Sequence, residues 1–360
     1  MESMVINTKY WRNRRVLITG HTGFKGSWLS LLLKELGADL CGYSLAPTQN
    51  CSLFKNAKID IGMTSIIGDI RDKNKLKSAV ESFQPETIFH LAAQALVGES
   101  YSNPLDTLET NILGTANLLN SCRQTTSIDS IVIITTDKCY ENNESVWGHR
   151  ETDPLGGDDP YSSSKACAEL VTASFRNSYF KNNKHQATIT TARAGNVIGG
   201  GDWSENRLIP DVIRAFKKGE PAAIRNPYSI RPWQHVLEPL AGYLMLAEKS
   251  HTNQSLEGAW NFGPQLEGAK PVSWIADQAQ RLWGEQASWV ETDISTFEEK
   301  TILRLDCSKA RLALGWTPKL KIETTIDLTL DWYKRFSLGE NALQLTNSQI
   351  KDFLCLSKTR

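Results

Sequence analysis

Paired cysteine spacing is missing from this chain. The seven cysteines, Cys41, Cys51, Cys122, Cys139, Cys167, Cys307 and Cys355, are scattered, odd in number and free of any Cys-x-x-Cys motif. That pattern fits reduced thiols in the cytoplasm better than a disulfide framework or a zinc site. No metal is expected. Long apolar runs are missing too. None approaches the roughly 18–20 residues that cross a bilayer, so no membrane association is expected. The polar N-terminus, with Trp11, Arg12, Arg14 and Arg15 ahead of the first apolar segment, lacks the features of a secretory signal. Charge of one sign is not in excess: 40 Lys plus Arg balance 40 Asp plus Glu, which removes any global pull toward nucleic acid or an anionic membrane. The sequence shows neither an internal repeat nor a low-complexity tract. Its 360 residues can bury a large core in one big domain or two.

What is present is alternation. Strand-like segments lie at Val16–Thr19, Leu40–Ser44, Ser65–Ile67, Thr87–Leu91, Ile131–Thr136 and Thr188–Ala192. Helix-like segments lie at Ser27–Leu36, Lys73–Phe83, Leu105–Arg123 and Tyr161–Phe180. Alternation of this kind predicts an α/β fold with a doubly wound parallel sheet covered by helices on both faces. Ligands of such sheets bind beyond the carboxyl ends of the strands, where Gly20, Asp69, Ala92, Ala93, Thr136, Asp137 and Lys138 fall.

The first strand runs into Gly20-His21-Thr22-Gly23-Phe24-Lys25-Gly26 and then a helix that Gly37 can stop. Glycines spaced three apart allow a tight turn and close approach of a pyrophosphate, and the helix N-terminus offers free N–H groups. Gly68-Asp69-Ile70-Arg71-Asp72 follows a short apolar segment. Asp69 is placed to accept from an adenine amino group, while Asp72 suits the N-cap of the next helix. His90-Leu91-Ala92-Ala93-Gln94 ends another strand with small residues beside which a cofactor can lie. The second strand ends at Ser44 with neither an acid for ribose hydroxyls nor an arginine for a 2′-phosphate. The missing cation favours NAD over its phosphorylated form.

Tyr161-Ser162-Ser163-Ser164-Lys165 places a phenol and an ammonium one helical turn apart, on one face. An ammonium near a phenol lowers its pKa and makes a base for an alcohol proton. The second half of the chain is less periodic and richer in proline, tryptophan and arginine. Asn196, Arg207, Arg225 and Arg231 occur there among glycines and aromatics, a composition suited to a phosphorylated, ring-bearing ligand. Trp203, Trp233 and His235 fit either a cleft wall or the core.

Together, Gly20-x-x-Gly23-x-x-Gly26, Gly68–Asp72, His90–Gln94, Asn111-Ile112-Leu113-Gly114-Thr115, Thr135–Lys138 and Tyr161-x-x-x-Lys165 resemble the extended short-chain dehydrogenase/reductases. Within them, the chain is similar to the nucleotide-sugar 4,6-dehydratases over nearly its whole length. Residues 20–28, 136–140 and 226–236 look most like the branch acting on CDP-glucose.

The resemblance implies a Rossmann domain over residues 1–190 that binds NAD and carries the catalytic residues. It further implies a smaller, mixed C-terminal substrate-binding region over 191–360, with the chain crossing between the two. It implies cofactor contacts from Gly20, Thr22, Gly23, Phe24, Lys25, Gly26, Ser44, Asp69, Ile70, Ala92, Ala93, Gln94, Asn111, Thr135, Tyr161 and Lys165. Tyr161 would take the proton of the carbon 4 hydroxyl, Thr136 would hydrogen-bond that hydroxyl, and Asp137, protonated by burial, would expel water from carbon 6. The dTDP-glucose branch has a glutamate as carbon 5 base where this chain has Lys138, which leaves a neutral amine base and a charged enolate stabiliser both open. Asn196 and Arg231 match positions that contact the substrate diphosphate, and Arg207 and Arg225 lie in the same segments. Apolar surplus on the Leu105–Arg123 and Tyr161–Phe180 helices (Leu113, Leu118, Leu119, Leu170, Val171 and Phe175) implies a homodimer or homotetramer. An epimerase of the same superfamily and a non-catalytic NAD-sensing protein remain alternatives. Against an epimerase stands Asp137, since epimerisation needs no acid to expel water.

Overall fold

The computed structural model describes residues 6–47, 51–181, 187–292 and 300–356. Six strands lie where the sequence pattern places them: β1 (Arg15–Thr19), β2 (Asp39–Ser44), β3 (Thr64–Ile67), β4 (Thr87–His90), β5 (Ser130–Ile134) and β6 (Thr188–Ala194). A seventh, Gly258–Phe262, joins them, and the order across the sheet is Gly258–Phe262, β6, β5, β4, β1, β2, β3. Every pairing is parallel. The order turns back between β1 and β4, which opens a crevice at their carboxyl ends.

The sheet is apolar on both faces because each strand sends alternate side chains to opposite sides. Val16 and Ile18 of β1, with Phe89, Val132 and Ile134, enter one core beside Trp28, Leu29 and Leu32. Leu17, Ile88, Ile131 and Ile133 enter the other beside Leu76, Val80, Leu118 and Leu119. The doubly wound α/β sheet expected from the sequence is therefore present.

Boundaries moved where capping chemistry overrides pattern. Lys73–Phe83 is a helix as expected, with Asp72 as its N-cap accepting from the Lys75 N–H at 3.0 Å. The helix expected from Ser27 begins at Phe24, because the glycine turn itself supplies its N-cap, Gly23. The helix around Tyr161 runs Pro160–Phe175, capped by Asp159 and led by Pro160, and continues as a π-turn over Arg176–Phe180. The segment expected as one helix at Leu105–Arg123 is a continuous helical run, Pro104–Leu108 and Gly114–Cys122, with a π-turn, Glu109–Leu113, in its middle. On these helices Leu118 and Leu119, expected as surplus apolar residues, are core instead. Val171 and Phe175 pack partly against that core, while Leu113 and Leu170 stay exposed.

The second half returns to the sheet. Helix Leu237–Ser250 is buried beneath β5 and β6, and Gly258–Phe262 pairs with β6. Three short two-stranded pieces carry the rest: Val197–Ile198 with Gln234–His235, Ile230–Pro232 with Ala269–Pro271, and Ala222–Ile224 with Trp289–Glu291.

One buried ion pair joins these layers. Glu169, two turns after Tyr161 on its helix, accepts from Arg193 of β6 at 3.0 and 2.9 Å, from Thr191 at 2.6 Å and from Thr135 at 2.5 Å. Arg193 also donates to the Tyr140 hydroxyl at 2.7 Å, which in turn donates to Asn261 of the seventh strand at 2.7 Å. Both charges are nearly inaccessible, at 5% and 2% exposure. Removing one partner of such a pair leaves the other charge buried alone, at a loss of about 3–5 kcal/mol. Glu169→Ala should therefore lower the thermal unfolding midpoint by several degrees; a midpoint within one degree of the unmutated protein would contradict the pair's structural role.

Candidate active site

Two cavities meet at the carboxyl ends of the strands. The larger, about 750 Å³, is walled by the glycine turn, the ends of β2 and β3, and Leu91–Leu96 after β4. Its tightness comes from the glycines. Gly20 has φ +79°, and a Cβ there would sit 2.6 Å from the Ala92 nitrogen; a Cβ on Gly26 would sit 2.1 Å from the Gly20 carbonyl oxygen. Only glycine allows both approaches, so the turn folds back on itself and leaves the cavity floor to backbone. Thr22 braces the rim, donating to the Leu45 carbonyl at 2.9 Å and lying 2.8 Å from the Ser44 hydroxyl. Asp69 lines the far end with its carboxylate held by Arg71 (2.6 Å), which keeps it below the usual carboxylate range.

Of the expected cofactor residues, Gly20, Thr22, Gly23, Phe24, Lys25, Gly26, Ser44, Asp69, Ile70, Ala92, Ala93, Gln94, Thr135, Tyr161 and Lys165 line this cavity. Asn111 does not. It stands one layer behind, its amide donating to the Gln94 carbonyl (2.9 Å) and to Ser164 (2.8 Å) and accepting from the Gln94 N–H (2.9 Å). It braces the wall rather than forming it, because the π-turn that contains it rotates the side chain inward.

The smaller cavity, about 300 Å³, is lined by Thr136, Asp137, Lys138, Tyr161, Asn196, Arg207, Arg225 and Arg231, among others. Residues far apart in sequence thus face one space. Lys25, Thr135, Tyr161, Asp202 and Arg207 border both cavities and form the wall they share. Thr136 caps a short 3₁₀ turn, Asp137–Cys139, which is why β5 ends two residues earlier than expected and turns these side chains into the cleft.

Burial sets the protonation of the group. It pushes the Tyr161 phenol up to about 12, against a hydrogen bond with Thr136 and the positive charge of Arg207. The net shift is upward rather than the lowering expected beside Lys165, because burial outweighs the opposing contributions. The Lys165 ammonium donates to the Ile134 carbonyl at 3.2 Å, and its own burial lowers it to about 8 with Glu169 pulling the other way. Asp137 is raised by burial, as expected, with Lys138, Thr136, Arg231 and Lys25 opposing. Its Oδ1 accepts from the Thr136 hydroxyl at 3.1 Å, while Oδ2 has no partner within the described residues. The site therefore holds a buried carboxyl pushed toward its protonated form, with the Tyr161 phenol and Lys138 lining the same cavity. Lys25, expected as a cofactor contact, is lowered to about 8 by burial and by Arg207.

Arg207 is paired with Asp202 at 2.9 Å, a partner that sequence reasoning missed although it directly follows the Gly199–Gly201 run. Arg231 donates to the Ile230 and Thr301 carbonyls at 3.0 and 3.2 Å. Trp233 is a cavity wall and donates to the Lys270 carbonyl at 3.0 Å. Trp203 borders the larger cavity and meets Tyr333 edge-on. His235 belongs to the core, fully buried against Trp28 and lowered to about 3. No cluster of three or more metal-ligating side chains occurs among the described residues, and no helix among them is long and apolar enough to cross a membrane. The thiols of all seven cysteines are free.

Comparison with known proteins gives consistent results. A family model described as GDP-mannose 4,6 dehydratase matches residues 17–329. A CDP-glucose 4,6-dehydratase of Salmonella typhimurium is 48% identical over 97% of this chain and 99% of its own length. Among solved structures, a UDP-glucose 4-epimerase of Thermotoga maritima with UDP-glucose superposes with a TM-score of 0.78 at 22% identity, covering 90% of this chain and 99% of that one. A dTDP-glucose 4,6-dehydratase of Bacillus anthracis in complex with NAD gives 0.75 at 20% identity, covering 92% and 99%. At such identities the two structures speak for the fold alone.

Proposed function

The chain belongs to the GDP-mannose 4,6 dehydratase family, and from that membership we propose that it is a nucleotide-sugar 4,6-dehydratase converting CDP-glucose to CDP-4-dehydro-6-deoxyglucose and water with bound NAD. The observation that carries the reading is the buried Asp137, raised by desolvation toward its protonated form, facing the same cavity as Tyr161, Thr136 and Lys138.

NAD fits the larger cavity. The glycine floor lets a pyrophosphate lie against backbone at a helix N-terminus. At the Ser44 and Asp69 end no lysine or arginine is among the described lining residues, and Arg71 behind Asp69 is already engaged by Asp69 and Asp106. When bound, NAD supplies the acceptor and later the donor of the hydride, so the net reaction is loss of water.

The remaining chemistry belongs to this chain. Tyr161 takes the proton of the carbon 4 hydroxyl, for which it must be ionised. Lys165 and the positive charge of Arg207 favour that ionisation once the ligands are seated. The ketone at carbon 4 acidifies the proton at carbon 5, and Lys138 takes it. Asp137, favoured in its protonated form by burial, gives its proton to the hydroxyl of carbon 6 as the carbon–oxygen bond breaks. Asn196, Arg207, Arg225 and Arg231 hold the diphosphate of the nucleotide sugar, with guanidinium groups suited to bidentate contact. We place the enzyme in the cytoplasm, in keeping with its free thiols.

Incubation with CDP-glucose, UDP-glucose, GDP-mannose and dTDP-glucose, followed by mass spectrometry, tests the reading. Loss of one water from CDP-glucose is expected; water loss from another sugar alone would move the substrate assignment. Tyr161→Phe should slow turnover by on the order of 10²–10⁴ with nucleotide binding intact.

Asp137→Asn and Lys138→Ala should both still oxidise carbon 4 and accumulate reduced cofactor absorbance. Solvent deuterium separates them. Lys138→Ala should block exchange at carbon 5, whereas Asp137→Asn should permit exchange while water loss stalls. Exchange at the unmutated rate in Lys138→Ala would assign the base elsewhere.

The exposed side chains Leu105 (73%), Leu113 (56%) and Leu170 (59%), carried on neighbouring helices, form an apolar face that supports pairing of two copies. Light scattering at micromolar concentration should give at least a dimeric mass; a monomeric mass would exclude the pairing.

A further inference from the structure

Arg207 meets the ligand space from the wall that the two cavities share, and its guanidinium is tethered there. Asp202 accepts from its Nη1 at 2.9 Å. The carboxylate is nearly closed off, with 6% of its side chain exposed against 34% for the arginine. Its other oxygen, Oδ1, accepts from the Ser204 N–H at 3.1 Å and from the Ser204 hydroxyl at 2.8 Å. A buried carboxylate whose oxygens are occupied in this way is held in place. The guanidinium offers five donors in a planar fork, and the bond to Asp202 uses one of them.

The backbone that carries this pair is held from two sides. Tyr333, on the helix Ile322–Ser337, donates to the Asp202 carbonyl at 2.5 Å. Trp332 lies so close to Gly200 that a Cβ there would sit 2.1 Å from its Cγ atom. Arg214, on the helix Leu208–Lys218, donates to the Trp203 and Ser204 carbonyls at 3.0 and 3.2 Å. Arg207 is the N-cap residue of that same helix, and its carbonyl accepts from the Asp211 N–H at 3.0 Å. With the main chain fixed at both ends of the loop, what remains to be set is the direction of the arginine side chain, and Asp202 sets it.

We propose that Asp202 is a positioning residue for the nucleotide diphosphate: it acts through Arg207, holding the guanidinium at the cavity wall before the substrate binds. The inference rests on the dehydratase reading above, which seats that diphosphate beside Arg207. A long side chain that is free to rotate must be immobilised when its ligand binds, and the lost freedom weakens affinity. An arginine already tethered by a buried carboxylate avoids most of that loss. Asp202 also brings a negative charge near an anion, which opposes binding. That charge is taken up by three hydrogen bonds from Ser204 and Arg207, so the tether outweighs the repulsion.

CDP binding, measured by calorimetry at saturating NAD, is compared in the unmutated protein, Asp202→Asn, Arg207→Met and the double variant. Asp202→Asn keeps an oxygen for Ser204 and loses the charge that faces Arg207. It should weaken CDP binding about three- to tenfold, the effect of immobilising one long side chain. Arg207→Met should weaken it at least about tenfold, the effect of a lost hydrogen bond to a charged group. In the Arg207→Met background, Asp202→Asn should change the affinity by less than about twofold, because no guanidinium is left to hold. Asp202→Ser, whose hydroxyl can still serve the turn at Ser204, should match Asp202→Asn and decides the matter if Asp202→Asn does not fold. Unchanged or tighter CDP binding in these variants overturns the proposal. So does a weakening that persists in the Arg207→Met background, or failure of both Asp202 variants to fold, since Asp202 is then a structural residue. If the unmutated protein binds no CDP, the proposal fails whichever nucleotide sugar is dehydrated. If it binds CDP yet removes water from none of the nucleotide sugars named above, the dehydratase reading fails, while the four affinities still decide the role of Asp202.

Discussion

The carboxylate of Glu169 ties together the three pieces of chain that carry the groups proposed to react. Its helix bears Tyr161 and Lys165. Its partner Thr135 precedes Thr136 and Asp137 at the end of β5, and its partners Thr191 and Arg193 lead along β6 toward Asn196. Without it, the phenol, the acid and the diphosphate site would each rest on a separate element. A charge in so dry a place is tolerable only when its lone pairs are filled, and Glu169 has two guanidinium and two hydroxyl donors. The network therefore fixes register between a helix and two strands with an accuracy that apolar packing alone does not provide.

The same dryness governs the chemistry. Desolvation is the first cause of the shifts at Lys25, Asp137, Tyr161 and Lys165, and it drives each toward its uncharged form. Asp137 and Tyr161 respond alike: both are raised, which favours the protonated form the proposed acid needs and opposes the phenolate the proposed base needs.

The first half of the fold was legible because its signals are local. Strand-to-glycine-to-helix at Gly20, the Asp72 cap and the near-continuous apolar strands each speak through neighbouring residues. Of the candidate site, Tyr161, Lys165, Asp137 and the arginines were named from residue type, and the structure brings them to the two cavities. Hidden from the sequence were features made by distant partners. Glu169 reads as an ordinary helix acid until Arg193 is placed beside it, and Asp202 reads as a loop residue until Arg207 folds back. Asn111 was expected against the cofactor because its motif neighbours the cleft, and the π-turn at Glu109–Leu113 that turns it inward leaves no trace in apolar periodicity. The strand Gly258–Phe262 opens on glycine and contains Asn261, whose polar side chain is satisfied only by Tyr140 and the His149 and Asp306 carbonyls.

That last strand has a consequence for how the molecule is made. Its pairing with β6 joins Thr190 to Gly258 and Ala194 to Phe262, positions far apart along the chain. During synthesis the first six strands emerge and can order themselves, yet β6 remains an open edge of unpaired N–H and C=O groups until residue 262 has left the ribosome. The nascent nucleotide-binding half is thus obliged to wait, exposed to association with other chains, for a segment that arrives after much of the substrate-facing region.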